Sequence, residues 1–287
     1  MIAFPRHTAR PARPGPRLRH HSATSVTRGS QPARPTSERE SLHGVRQIVR
    51  FNWPFYLCSV TLIVVTPAVA EWFRAGALTT LIVSTATALT ALWTIGSLAA
   101  SWMVYDRSPL MNVEWVADAL GFRPRTWINI HAGFDETTAL LQRVFDGTCG
   151  RAFDIFDPAE MPEPSIARAR RLCEGTTPSE PVDFRHLPVM DTTVDAVMLL
   201  LSAHELRTDD ARCALLGEIR RALTEGGRVV VAEHLRDVAN FAAFGPGFLH
   251  FHSHPTWTRG FARAGLAVHR EFSITPFVHV FVLEKNA

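Results

Sequence analysis

Two runs of sequence without a charge constrain this chain more than anything else in it. Trp53 to Ala70 is 18 residues long and Ala75 to Tyr105 is 31, with only Glu71 and Arg74 as charges between them. About 20 apolar residues at 1.5 Å rise cross a bilayer. The runs therefore predict a hairpin of spans over about 53–70 and 77–104. Trp53, Tyr56, Trp72, Trp102 and Tyr105 stand near the ends, where aromatic belts form. A pair of core helices is the competing reading, but the second run exceeds ordinary core helices and the flanking chain offers little to cover it. Threonines such as Thr79, Thr80 and Thr90 can bond back to their own helix. With no ionisable residue inside either run, a channel or pump is disfavoured.

Charge divides the chain as sharply as hydropathy does. Net charge is +3, yet residues 1–50 hold ten Arg against Glu38 and Glu40, leaving about −5 for the remainder. Residues 1–42, rich in Pro, Arg, Ser and Thr, cannot bury enough surface to fold and predict a disordered basic arm. Such an arm either attracts anionic headgroups, at roughly 1 kcal/mol per basic residue, or is simply solvated. Its composition is also similar to a mitochondrial transit peptide. Arginines before the first span and Asp106-Arg107 after the second place the N-terminus and residues 106–287 on the cytoplasmic side. An integral protein of a bacterial inner membrane is expected, in three parts: arm 1–42, hairpin 43–105 and soluble domain 106–287. Cys58, Cys149, Cys173 and Cys213 are scattered and read as reduced thiols.

The soluble part alternates strand and helix patterns. Apolar or β-branched runs at 127–131, 151–156, 194–201 and 228–233 predict central strands covered on both faces. A helix over 210–223 carries Ala211, Leu215, Ile219 and Leu223 on one stripe, with Gly226-Gly227 as its stop. This alternation predicts an α/β, doubly wound, mainly parallel sheet. Residues 267–274 and 277–283, joined at Thr275-Pro276, predict a terminal antiparallel hairpin.

The stretch Val182-Asp183-Phe184-Arg185-His186-Leu187-Pro188, then Asp191, Asp195-Ala196-Val197 and Ala203-His204-Glu205-Leu206, is followed by Glu218 to Val231 with its Gly226-Gly227 pair. In this order the motifs resemble class I S-adenosylmethionine-dependent methyltransferases, over roughly residues 105–285. The resemblance implies a Rossmann-like seven-stranded sheet, S-adenosylmethionine as cofactor, and a binding set of Asn129, His131, Gly133, Asp157, Asp183 and Leu187. Asp183 matches the adenine-side acid and Asp157 the acid that holds the ribose hydroxyls; Asp154 competes for the second role. The family's glycine-rich loop is reshaped, for only Gly133 is kept in Ile128-Asn129-Ile130-His131-Ala132-Gly133-Phe134-Asp135. Asp135 can instead cap the following helix and leave backbone N–H groups near the cofactor carboxylate.

Methyl transfer needs positioning, exclusion of water and sometimes a base. His204 and His234 follow the fourth and fifth strands at the edge where open α/β sheets bind ligands. Both are candidates for that base, with Glu233 setting the tautomer. For each, a buried, hydrogen-bonded histidine is the plain alternative. His250, His252 and His254 alternate and would share one face of an extended strand, but no nearby Cys or Asp completes a ligand set, so no metal is expected. Phe241, Phe244, Phe248, Phe251 and Trp257 suggest an apolar cover over the acceptor site. The whole reads as a membrane-anchored methyltransferase whose partners are the lipid bilayer and a lipophilic small-molecule acceptor that is quinone-, lipid- or thiol-like. Nucleic acid is disfavoured by the acidic body. The alternatives are a cofactor-free scaffold at the membrane and a nicotinamide oxidoreductase, which lacks its dinucleotide fingerprint here.

Overall fold

A computed structural model describes residues 42–172 and 178–286, so all of the predicted arm over 1–42 except Leu42, and Cys173, lie outside the described residues. Helices α2 (Trp53–Trp72) and α3 (Ala77–Trp102) match the two charge-free runs and pack on one another. Both are long and apolar enough to cross a bilayer, and the rest of the chain covers almost none of their surface. Their hydroxyls bond back along the helix, as in Thr90 Oγ1 to the Ala86 carbonyl at 2.8 Å and Ser101 Oγ to Ser97 at 2.9 Å.

A short helix the periodicity did not single out, α1 (His43–Phe51), lies against the foot of α3. The Asp106 carboxylate accepts from the N–H groups of Gly44 and Val45, at 2.7 and 3.0 Å, satisfying two donors that an N-terminus leaves open. Gly44 permits the approach: a Cβ there would stand 2.4 Å from Tyr105 Cβ.

After α4 (Trp115–Leu120), the chain alternates β1 (Thr126–His131), α5 (Thr138–Val144), β2 (Cys149–Asp154), α6 (Pro164–Leu172), β3 (Glu180–Pro181), β4 (Val194–Leu200), α7 (Asp209–Ala222) and β5 (Leu223–Glu233). Helices α8 (Val238–Phe244) and α9 (His254–Arg263) precede β6 (Leu266–Thr275) and β7 (Val278–Lys285). The seven strands run in the order β3-β2-β1-β4-β5-β7-β6. The first five are parallel, and β7 is antiparallel to both β5 and β6. The doubly wound sheet with its antiparallel end is the architecture expected. Gly226-Gly227 has a different role from the one foreseen: α7 stops at Ala222, and both glycines lie within β5. Leu223 is drawn into the sheet by pairing with Val194 ahead of a register shift.

Each sheet face has its own core. Leu215, Ile219, Trp257 and Phe261 cover one; Val104, Leu110, Val116, Leu120 and Leu141 cover the other. Val104 and Leu110, at the foot of the apolar helices, are 0% and 2% exposed. Burying each contributes about 1.5–3 kcal/mol, so the hairpin foot is built into the sheet's own packing.

Candidate functional site

Parallel strands place their carboxyl ends on one rim, and here that rim faces the foot of the helical hairpin. Between them lies a cavity of about 950 Å³. The sheet contributes Asn129, His131, His204 and His234; the helices contribute Ile48, Phe51, Tyr56, Ser97 and Tyr105.

At the β1 end the loop closes on itself. Asp135 Oδ1 accepts from the N–H groups of Thr137 and Thr138, at 3.0 and 2.9 Å, which is the cap expected of it. Asn129 Nδ2 donates to Thr137 Oγ1 and Thr138 Oγ1, at 2.9 and 2.8 Å. Its Oδ1, and both ring nitrogens of His131, are buried without a hydrogen-bond partner among the described residues. Burial lowers the His131 pKa, with Asp135 and Asp154 opposing it, so the ring is neutral near pH 7. Gly133 is left-handed at φ 84°, and a Cβ there would meet the Arg170 side chain at 2.7 Å. Arg170 thus crosses the loop, pairs with Asp154 at 2.6 Å and lies on the Phe156 ring. Arg151, on the same strand, is bound instead to Glu180 at 2.6 Å.

Of the residues assigned to cofactor, Asn129 and His131 line the cavity, whereas Gly133, Asp157, Asp183 and Leu187 lie outside its lining. Asp157 Oδ1 accepts from Ala159 N at 2.9 Å, and exposed Asp183 accepts from Arg185 N at 2.9 Å. Leu187 is in the core, and its N–H reaches Glu218 Oε2 at 3.0 Å.

The β4 and β5 ends bring His204, Glu233 and His234 together but pair them differently from expectation. Glu233, fully buried, accepts from His204 Nδ1 at 2.6 Å and takes the N–H groups of Ala203 and His204 on its other oxygen. It therefore orients His204 and makes no bond to His234. Burial alone would lower the His204 pKa, but Glu233 and Glu205 beside it prevail and push it up to about 10. His204 is an imidazolium at neutral pH and cannot serve there as a base.

His234 is the opposite case. Its Nδ1 faces the Phe277 carbonyl at 2.7 Å, so Nδ1 carries the proton and Nε2 accepts from the Tyr105 hydroxyl at 3.0 Å. Burial lowers its pKa to about 4, so the ring stays neutral, stacked on Phe251. Tyr105 was read from sequence only as a belt aromatic. Its meeting with a residue 129 positions away had no sequence signal.

The alternating histidines do not share a strand face, because a 3-10 turn over Gly245–His250 and the start of α9 at His254 separate them. His250 lines the cavity, His252 Nε2 accepts from Arg212 Nη1 at 2.7 Å, and His254 meets Glu271 at 2.9 Å. Phe244 and Phe251 do cover the cavity. Trp257 is 1% exposed and belongs to the core, stacked on Phe261; Phe241 packs edge-on against Trp93 of α3.

The fold is similar to that of S-adenosylmethionine-dependent methyltransferases of known structure. One from Aquifex aeolicus is 17% identical, with a TM-score of 0.47 over 62% of this chain and 93% of that one. Mitomycin 7-O-methyltransferase is 18% identical, TM-score 0.46, over 73% of this chain and 76% of that one. A further example from Clostridium acetobutylicum is 8% identical, TM-score 0.46, over 68% and 100%. No protein-family profile and no curated protein sequence matches the chain.

Proposed function

We propose that this chain is a membrane-anchored S-adenosylmethionine-dependent methyltransferase whose acceptor is a lipophilic small molecule of quinone, lipid or thiol type. The observation that carries the reading is the shared cavity, walled on one side by the sheet's carboxyl rim and on the other by the feet of two bilayer-length helices. A molecule dissolved in the bilayer reaches such a cavity without crossing water. Its volume, about 950 Å³, suits a cofactor and a compact acceptor together. The polar atoms left open at the β1 end, Asn129 Oδ1 and the His131 nitrogens, suit a ligand bearing both donors and acceptors. S-adenosylmethionine supplies the methyl group and leaves as S-adenosylhomocysteine. Tyr105 and His234 would orient the acceptor, the Tyr105 hydroxyl donating to Nε2 of His234; with a pKa of about 4 that imidazole is too weakly basic to take up the proton, so the pair positions the acceptor and does not deprotonate it. In this reading the parts are the arm at 1–42, the anchor at 43–105 and the catalytic domain at 106–287, with the last on the cytoplasmic side of a bacterial inner membrane.

One observation favours the cofactor-free alternative: Asp154, at the end of β2, is already engaged by Arg170. Thermal unfolding of the full chain in detergent with S-adenosylhomocysteine separates the two, since binding to the native state must raise the melting temperature. A shift in the wild type, reduced in His131→Ala, which removes a side chain lining the cavity, is expected; no shift at millimolar ligand sinks the enzymatic reading. Tyr105→Phe should then lower turnover of a labelled methyl group into lipid extracts about tenfold to a hundredfold, with ligand affinity kept.

A further inference from the structure

The sequence offered no complete metal-ligand set, but the fold assembles one from two separate segments. His204 and Glu205 follow β4, and His250 ends the turn after α8. A nitrogen from each histidine and one Glu205 oxygen all lie within 4.8 Å of one another. His204 Nε2 is 3.4 Å from Glu205 Oε1, and His250 Nε2 is 3.3 Å from Glu205 Oε2. Ligands tetrahedrally placed about 2.1 Å from a zinc-sized ion stand roughly 3.4 Å apart. Since the two histidines meet different Glu205 oxygens, gathering both nitrogens and one oxygen from within 4.8 Å takes side-chain shifts of about 1 Å.

Three further observations point to an ion rather than to a closed network. Glu205 Oε2 is buried without a hydrogen-bond partner among the described residues. Glu233 holds the remote nitrogen of His204 at 2.6 Å, the carboxylate–histidine arrangement that fixes a ligating imidazole and raises its basicity. His250 has the same opportunity, with Glu163 Oε1 3.5 Å from its Nδ1. Arg207 Nη1 stands 3.3 Å from that nitrogen, but it also donates to the carbonyls of His204 and His250 and need not compete. A divalent ion displaces the proton of His204 when it binds, and Glu163, Glu205 and Glu233 then face Arg207 and the ion together.

We propose that His204, Glu205 and His250 form a binding site for a divalent transition metal of the zinc class. All three residues line the cavity, so the remaining coordination position faces it and is available to a thiolate, hydroxyl or carbonyl of a bound molecule. The site stands or falls independently of the methyltransferase reading.

The test uses the full chain in detergent, stripped with a chelator and titrated with Co²⁺ alone as an optical probe. We expect one equivalent with visible bands of low-symmetry coordination, displaced by Zn²⁺. Affinity should fall at least a hundredfold in His250→Ala and in Glu205→Gln, and about 10- to 100-fold in Glu233→Gln. The half-exposed cluster His254, Glu271 and His279 supplies the control, because His279→Ala should leave that equivalent in place. Metal-free melting curves report whether each variant is folded, and the tight equivalent should raise the melting temperature of the wild type. The site is refuted if the wild type retains no Co²⁺, or if every equivalent it binds persists in both His250→Ala and Glu205→Gln.

Discussion

The two ends of the cavity solve the problem of buried polarity in opposite ways. At the β1 end, part of the polarity is met locally, with Asn129 Nδ2 on two threonines, Asp135 Oδ1 on a helix start and Asp154 on Arg170, while Asn129 Oδ1 and the neutral His131 ring are left open. At the β4–β5 end, charge is concentrated, with an imidazolium between two glutamates a short distance from a histidine that burial keeps neutral. Partnered polar groups lend rigidity, whereas stacked titratable groups lend chemistry. Both are properties of the same strand edge, separated by what each strand end happens to meet.

The sharpest way to break this contrast is Glu233→Ala. It removes the partner of a buried imidazolium and the acceptor of two backbone N–H groups, and should cost about 3–5 kcal/mol in denaturant unfolding. A loss under about 1 kcal/mol would mean that the charged end is not held by this pair.

Acid titration comes next. His234 is neutral in the fold with a pKa of about 4, while an unfolded histidine binds a proton below about 6.5. The unfolded state thus binds more protons, and stability falls as pH drops from about 6.5 to 4, by on the order of 3 kcal/mol. His252, lowered to about 3 by burial and by Arg212, adds in the same direction. His204 has the reverse sign: its contribution is complete below about 6.5 and is lost as pH rises toward 10. Unfolding curves across this range should show two limbs, and His234→Gln should flatten only the acid one.

Gly44→Val probes the helical wall away from the buried histidines. The new Cβ would collide with Tyr105, so α1 must lift from the hairpin foot, at about 1–3 kcal/mol. An unchanged melting temperature would show that α1 is not a fixed part of the wall. The smallest effect belongs to Asp135→Ala at the β1 end, about 1 kcal/mol for a lost cap, with S-adenosylhomocysteine binding retained.

Much of the architecture was legible in the residues. Charge-free length is a one-dimensional property, so α2 and α3 were found nearly to their ends. Buried parallel strands write themselves as short apolar runs, which located β1, β2, β4 and β5. β3, two residues long, left no such trace. The site was half legible. His204, Glu233 and His234 were found because strand ends fall at one rim, but their pairing was not, because neighbours in sequence need not be partners in space. Glu233 precedes His234 and bonds to His204 instead. The regular alternation of His250, His252 and His254 suggested a shared face that a single 3-10 turn destroys.

What the amino-acid order determined alone was the segregation of the chain: a basic arm, two helices of bilayer length, and an alternating α/β domain ending in a hairpin. These follow from hydropathy and backbone preference, which act over a few residues at a time. Only the tertiary structure decided that Tyr105 meets His234, that Arg170 takes Asp154, and that His250 joins His204 and Glu205. Each of these contacts joins residues from different segments, and the balance of burial against neighbouring charge that sets their protonation exists only once those segments are packed.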